Sequence, residues 1–331
     1  MNYTHIPVML KEILEYLDPK PGQYFIDCTL GGGGYTMVIA ERIKESGRVL
    51  AIDLDETAIN NFQLTINNYE LKNVVLVNNN FKNLKEIVVK YFVKNQKFSG
   101  IVFDLGLSSA QLDDKSRGFS FKSDAPLDMN YESEIMNQEL GIRNQELGMN
   151  QKITVEKIIN QWRESELIKI IKEYGEERCA KSIAREIVKF RKLKPIKTTG
   201  QLVEIIKNAV PKNYEHYRIH PATRTFQALR IASNNELENL KIALPQALEL
   251  LQPGGRIVVI SFHSLEDRIV KQFFKQESKE CICPSEIPIC RCDHQIKLKI
   301  ITKKVVRPSA EEVLKNPRAR SAKMRVAELS S

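Results

Sequence analysis

The chain has 331 residues, 42% apolar and 27% charged, with 15 Gly and 13 Pro; this excludes a collagen-like or disordered polymer and leaves room for a large buried core. Fifty Lys and Arg against 41 Asp and Glu give a net charge of +9, and the excess is gathered: residues 178–230 carry +10 and residues 297–325 carry +8. Segregation of this kind suits a polyanionic partner, with ordinary solvated helix faces as the alternative, and no apolar run approaches the ~18 residues of a membrane span.

From residue 24 to 105, short apolar runs alternate with helical patterns: YFIDC, a helix over about 35–45, RVLAIDL, a helix near 56–68, VVLVN, a helix near 83–94, and GIVFDLG. That rhythm is βαβαβαβ, and right-handed crossovers make it one parallel sheet covered on both faces. Between about 110 and 225 helical periodicity takes over: Ala180, Ile183, Ala184, Ile187 and Val188 repeat at three and four, Gly175 stops the preceding helix, and Thr199 caps one that ends before Pro211. A helix near 234–251 then leads through the turn Pro253-Gly254-Gly255 to the strand RIVVIS. A further helix starts at Ser264, where Ser264 and Asp267 have capping-box spacing. LKIITKKVV and AKMRVAEL are too close for a crossover and read as an antiparallel pair, so the sheet is expected to have seven strands. The expected division is a sheet domain of 1–112 and 216–331 and an inserted helical domain of 113–215. Within the insert, NQELG at 137–141 recurs at 144–148, and 132–151 reads as an exposed or disordered insertion.

The first strand ends in Asp27-Cys28-Thr29-Leu30-Gly31-Gly32-Gly33-Gly34, a turn that lets a ligand approach the backbone closely. A dinucleotide fingerprint needs glycines at i, i+2 and i+5, yet Gly31 and Gly33 are followed by Thr36, and Gly32 and Gly34 by Met37; the P-loop lysine is also missing. An acidic residue followed by small residues at alternate positions (Asp27, Thr29, Gly31, Gly33) resembles the first motif of Rossmann-like S-adenosylmethionine methyltransferases, with Thr29 where glycine is usual. Asp53, at the end of the second strand, can accept hydrogen bonds from both hydroxyls of a ribose. Phe81, past the third strand, can wall in an adenine or belong to the core. Asp104 ends the fourth strand, on the sheet edge where ligands of open α/β folds lie.

Longer blocks carry a more specific resemblance. Asp104-Leu-Gly-Leu-Ser-Ser-Ala-Gln-Leu-Asp-Asp114, Arg117-Gly-Phe-Ser-Phe121 and Ala125-Pro-Leu-Asp-Met129 are similar to the bacterial small-subunit (16S) ribosomal RNA cytosine-N4 methyltransferase family. So are His5-Ile-Pro-Val-Met-Leu10, His220 to Ile231, Ser261 to Lys271 and Asn316 to Lys323, so that the likeness spans nearly the whole chain. The resemblance implies a Rossmann-like seven-stranded methyltransferase sheet with an inserted all-helical domain. It also implies S-adenosylmethionine as cofactor, methylation of the N4 amine of a cytosine in the decoding region, and 16S ribosomal RNA in the small subunit as partner. Carried over by position, the cofactor contacts fall on Gly33, Gly34, Tyr35, Asp53, Phe81, Asp104 and Gln111. Tyr35 stands where His is usual, and Asn130 where Arg is usual.

The exocyclic amine of cytosine is a poor nucleophile because its lone pair is delocalised. Hydrogen-bond acceptors and in-line placement can suffice, and Asp104 is the candidate catalytic acceptor. Arg117, His220, Arg224 and His263 are candidates for contacts to base or phosphate. Two other classes stay open on the sequence: an RNA-binding assembly factor on a methyltransferase fold, and a nicotinamide oxidoreductase, which the glycine spacing disfavours. Six cysteines (Cys28, Cys179, Cys281, Cys283, Cys290, Cys292) and a start without a basic and apolar leader point to reduced thiols in the cytoplasm. Cys281, Cys283, Cys290 and Cys292 form two C-x-C pairs, a spacing that strains tetrahedral chelation within a pair. They read as a thiol loop with no metal assigned, zinc being the alternative. Oligomeric state is open.

Overall fold

The computed structural model describes residues 7–121, 123–132, 153–212, 214, 219–284 and 290–330. The repeat read as an exposed insertion therefore lies outside the described residues, apart from Glu132. Two compact units emerge, Met1–Gly106 with Leu237–Ser331, and Leu107–Glu236.

In the sheet unit, helix α1 (Leu10–Leu17) precedes β1 (Tyr24–Asp27), α2 (Gly34–Ile43), β2 (Arg48–Asp53), α3 (Glu56–Tyr69), β3 (Val74–Asn78), α4 (Leu84–Tyr91) and β4 (Phe98–Asp104). The helical unit contains α5 (Ser109–Asp113), α6 (Val155–Gln161), α7 (Glu164–Glu173), α8 (Ala180–Arg191), α9 (Thr199–Ala209) and α10 (Thr223–Asn234). The chain then returns to the sheet unit with α11 (Glu236–Leu250), β5 (Leu251–Ser261), α12 (Ser264–Glu277), β6 (Leu298–Ile300), α13 (Ala310–Lys315) and β7 (Lys323–Leu329). Among the described residues the strands form one seven-stranded sheet in the order β3-β2-β1-β4-β5-β7-β6. The first five strands are parallel, while β7 runs antiparallel to both β5 and β6. The expected seven strands and the late antiparallel pair are both present.

The apolar runs are continuous because helices cover both faces of the parallel strands. Successive residues of a strand point to opposite sides. Ile26, Leu50, Ile52, Ile101, Phe103, Ile257 and Val259 pack in one core with α4, α11 and α12, whereas Phe25, Val49, Val102, Val258 and Ile260 pack in another with α1 and α2. All twelve are essentially inaccessible to water, and burying each such side chain contributes about 1.5–3 kcal/mol. This is what fixes the carboxyl ends of the strands.

Several expectations shift. The Pro253-Gly254-Gly255 turn lies inside β5, as a slip in register: Phe98 pairs with Leu251 but Gly100 with Arg256, and Gly254 takes φ 76°. Thr198, not Thr199, caps α9, its side chain accepting from the Gln201 N–H at 3.3 Å. The cap of α12 is His263, not Ser264; Asp267 instead forms a bidentate pair with Arg325 at 2.6 and 3.2 Å. The boundaries fall at 106/107 and 236/237 rather than 112/113 and 215/216. The reason is α10, whose Phe226 and Leu229 enter the core of the helical unit with Ile158, Leu167, Ile183 and Ile206.

Candidate active site

The site in the sheet unit begins where β1 stops. Asp27 is fully buried and fastens the turn that follows: its Oδ1 accepts the Thr29 N–H at 3.1 Å and its Oδ2 the Thr36 hydroxyl at 2.8 Å. Burial pushes its pKa up to about 6 against the pull of these bonds. Gly31 and Gly33 take φ 50° and 74°, a region costly for residues with a Cβ. At Gly33 a Cβ would lie 2.0 Å from the Phe62 ring, and at Gly34 it would lie 2.1 Å from Pro7, so the turn is packed against side chains that leave no room for larger residues. Thr29, in a position where glycine is usual, adds a tie that glycine has no side chain to make. Its hydroxyl accepts the Asp104 backbone N–H at 2.7 Å and joins the turn to the end of β4.

Asp53 closes the opposite side. Its Oδ2 accepts the Gly31 N–H at 2.7 Å and its Oδ1 the Asp55 N–H at 2.8 Å. Each carboxylate oxygen has two acceptor sites, so both retain one for a ligand hydroxyl. Burial raises its pKa to about 6, and the charges of Asp55 and Asp27 add to that. Phe81 opens the short turn before α4 and stands edge-on to Phe103, with ring centres 5.7 Å apart. The ring thus serves the core as well as the site's edge.

Asp104 is the most perturbed of the three carboxyls. Its Oδ1 is buried with no hydrogen-bond partner, and burial raises its pKa to about 8, helped by Asp27 and Glu266. The Tyr35 hydroxyl lies 2.5 Å from the Val8 carbonyl oxygen and 3.1 Å from Asp104 Oδ2. A hydroxyl has one proton to donate. Donated to Asp104, it stabilises the carboxylate and opposes the rise in its pKa; the Val8 carbonyl is the competing acceptor.

His263 follows β5. As the cap of α12, its Nδ1 accepts the Glu266 N–H at 3.4 Å, while Glu266 Oε2 accepts the backbone N–H groups of Phe262 at 2.9 Å and His263 at 3.2 Å. Glu266, 3% exposed and acting on Asp104, is the residue that sequence reasoning missed. The reversed signal of the capping box, Glu three positions after His263, could have found it.

The remaining candidates belong to the helical unit. Gln111 is the third residue of α5 and forms a reciprocal cap with Ser108, its Oε1 accepting the Ser108 N–H at 3.0 Å. Arg117 is committed internally: Nη2 donates to the carbonyls of Asn130 at 2.8 Å and Tyr131 at 2.6 Å, and the guanidinium lies 5.4 Å over the Phe119 ring. Asn130, where arginine is usual, is buried and donates to Asp128 Oδ1 at 2.6 Å. His220 stacks on Phe121 at 4.5 Å, accepts the Ala222 N–H through Nδ1 at 3.2 Å, and has its pKa lowered by burial and by Lys207. Arg224 lies in the first turn of α10.

A glycine turn after β1, carboxylates closing β1, β2 and β4, and a reversed β7 beside β5 define a Rossmann-like methyltransferase dependent on S-adenosylmethionine. A family model described as the MraW methylase family matches residues 2–330, and the chain belongs to that family. Relatives named ribosomal RNA small subunit methyltransferase H are similar over almost the full length. One from Dehalococcoides mccartyi is 49% identical over 99% of this chain and 87% of its own. Others from Brevibacillus brevis and Clostridioides difficile are each 44% identical over 99% of this chain, covering 98% and 99% of their own.

Proposed function

We propose that this enzyme methylates small-subunit ribosomal RNA, and that its target is the N4 amine of a cytosine in the decoding region of 16S ribosomal RNA. The observation that carries the reading is Asp104: a half-buried residue with one buried, unpartnered carboxyl oxygen at the end of β4, in one unit with the glycine turn and Asp53. The names of relatives that are 44–49% identical support the ribosomal substrate. The site fits the cofactor: glycines packed against Phe62 and Pro7 form a tight turn, and both Asp53 oxygens keep an acceptor position beyond their backbone bonds.

S-adenosylmethionine, when bound, supplies an electrophilic methyl group on a cationic sulfonium. Within the sheet unit, Gly33, Gly34 and the backbone of Tyr35 would cradle it, Asp53 would take its ribose hydroxyls, and Phe81 would border it. Asp104 accepts a hydrogen of the cytosine amine and so localises the nitrogen lone pair. In its ionised form Asp104 can receive the proton that the methylated nitrogen must shed, and burial, which raises its pKa to about 8, makes it a stronger acceptor. Tyr35 and Glu266 orient and tune this carboxyl. His220 and Arg224 meet base or phosphate, whereas Arg117 and His263 act through the backbone they hold.

No helix among the described residues is long and apolar enough to cross a membrane, and a cytoplasmic location on the small subunit accords with the proposed substrate. Labelled-methyl transfer to small subunits, followed by nucleoside mass spectrometry, tests the reading. N4-methylated cytidine mapped to the decoding region is expected; label on another base, or none, overturns it.

A further inference from the structure

The connector between α12 and β6, residues 278–297, has no helix or strand among its described residues, yet its two ends are tied together. The Lys297 N–H donates to the Glu277 carbonyl at 2.9 Å, and the His294 ring pairs through Nε2 with the Gln276 carbonyl at 3.2 Å. Connectors longer than about 15 residues are uncommon in compact domains and often carry a function of their own. Four sulfurs stand above that closed base: Cys281, Cys283, Cys290 and Cys292, with every Sγ within 4.8 Å of the others.

The C-x-C spacing, an argument against chelation along the sequence, is resolved by the way the two arms meet. Cys292 Sγ is 3.5 Å from Cys290 Sγ within its own arm and 3.7 Å from Cys281 Sγ across to the other. Zinc bound tetrahedrally at a Zn–S distance of about 2.3 Å needs sulfurs about 3.8 Å apart. The arms also exchange hydrogen bonds: Ile282 N–H donates to Cys292 Sγ at 3.5 Å, and Arg291 N–H to Cys283 Sγ at 3.4 Å. Within the first arm, Cys283 N–H reaches Cys281 Sγ at 3.4 Å. Backbone donors aimed at sulfur stabilise thiolates and orient them as metal ligands.

We propose that Cys281, Cys283, Cys290 and Cys292 form a zinc site. Four soft donors select zinc over hard cations, and a closed set of four protein ligands makes the site structural rather than catalytic. Binding exchanges four thiol protons for one Zn²⁺, leaving a complex of net charge −2, and it pins the connector at a second point beyond Glu277 and Lys297.

The test uses the full chain, purified reduced and without added metal, and measured by elemental analysis. About one zinc per chain is expected, released by a mercurial thiol reagent and absent from the Cys281→Ser/Cys292→Ser variant. Cobalt(II) added to chelator-stripped wild-type protein should give the intense visible absorption of a tetrahedral thiolate complex, a readout that stands even if the variant does not fold. Zinc retained by a folded variant, iron in its place, two disulfides by mass spectrometry, or four freely titrating thiols with no metal would each overturn the proposal.

Discussion

The two units treat their charged candidates in opposite ways. In the sheet unit, Asp27, Asp53 and Asp104 sit at strand ends whose position is fixed by a deep apolar core, and burial leaves them with raised pKa values and, at Asp104, an unpartnered oxygen. In the helical unit, Arg117 binds two carbonyls and a ring, and His220 stacks and caps. The first arrangement holds unfavourable electrostatics in place for a ligand. The second uses polar groups to hold its own loops. A charged residue in a matching motif is therefore read differently according to whether its fold has already satisfied it.

Substitutions sharpen that contrast. The largest effect is expected at Asp104: Asp104→Ala should lower turnover by ~10²–10⁴ in a labelled-methyl assay, while calorimetry still detects donor binding. Near-normal turnover would remove its assignment as acceptor. Asp53→Ala should weaken donor binding by roughly 10–100-fold, the loss of charged hydrogen bonds worth about 1.5–3 kcal/mol. Arg117→Ala should instead cost about 2–3 kcal/mol of stability in urea unfolding and spare donor affinity. Arg224→Ala should reduce the salt dependence of RNA binding by about one ion, whereas Arg117→Ala should leave that dependence unchanged. If Arg117 and Arg224 behaved alike, the distinction between them would fail.

A pH dependence bears on the sheet unit alone. Carboxyls whose folded pKa exceeds the ordinary value of about 4 bind more protons when folded, so they stabilise the protein fully below that value. This contribution is lost as pH rises through about 6 for Asp27 and Asp53 and about 8 for Asp104. The melting temperature of the ligand-free protein should fall across that window, and Asp104→Asn should flatten the upper part.

Much of the sheet unit was legible because its signals are local. Apolar runs marked the strands, and the glycines and Asp53 followed them at fixed offsets. What failed depends on tertiary packing. The periodicity of α10 shows an apolar stripe but not which core it enters, so the unit boundary was misplaced by a helix. His263 as a cap lay outside the usual Ser, Thr, Asp and Asn, which drew the cap to Ser264 and hid Glu266. The link from Val8 through Tyr35 to Asp104 joins residues far apart in the chain, and no spacing rule reaches it. For the cysteines, the spacing described each arm, but the cross-arm approach is a property of the fold.

Met9, next to Val8, has φ 53°, and its N–H is held by Glu312 Oε1 at 2.6 Å, a clasp between residues 303 positions apart. Val8 in turn meets the Tyr35 hydroxyl, so the clasp reaches the group that contacts Asp104. Loss of Glu312 would therefore loosen the backbone that holds the Tyr35 hydroxyl beside Asp104.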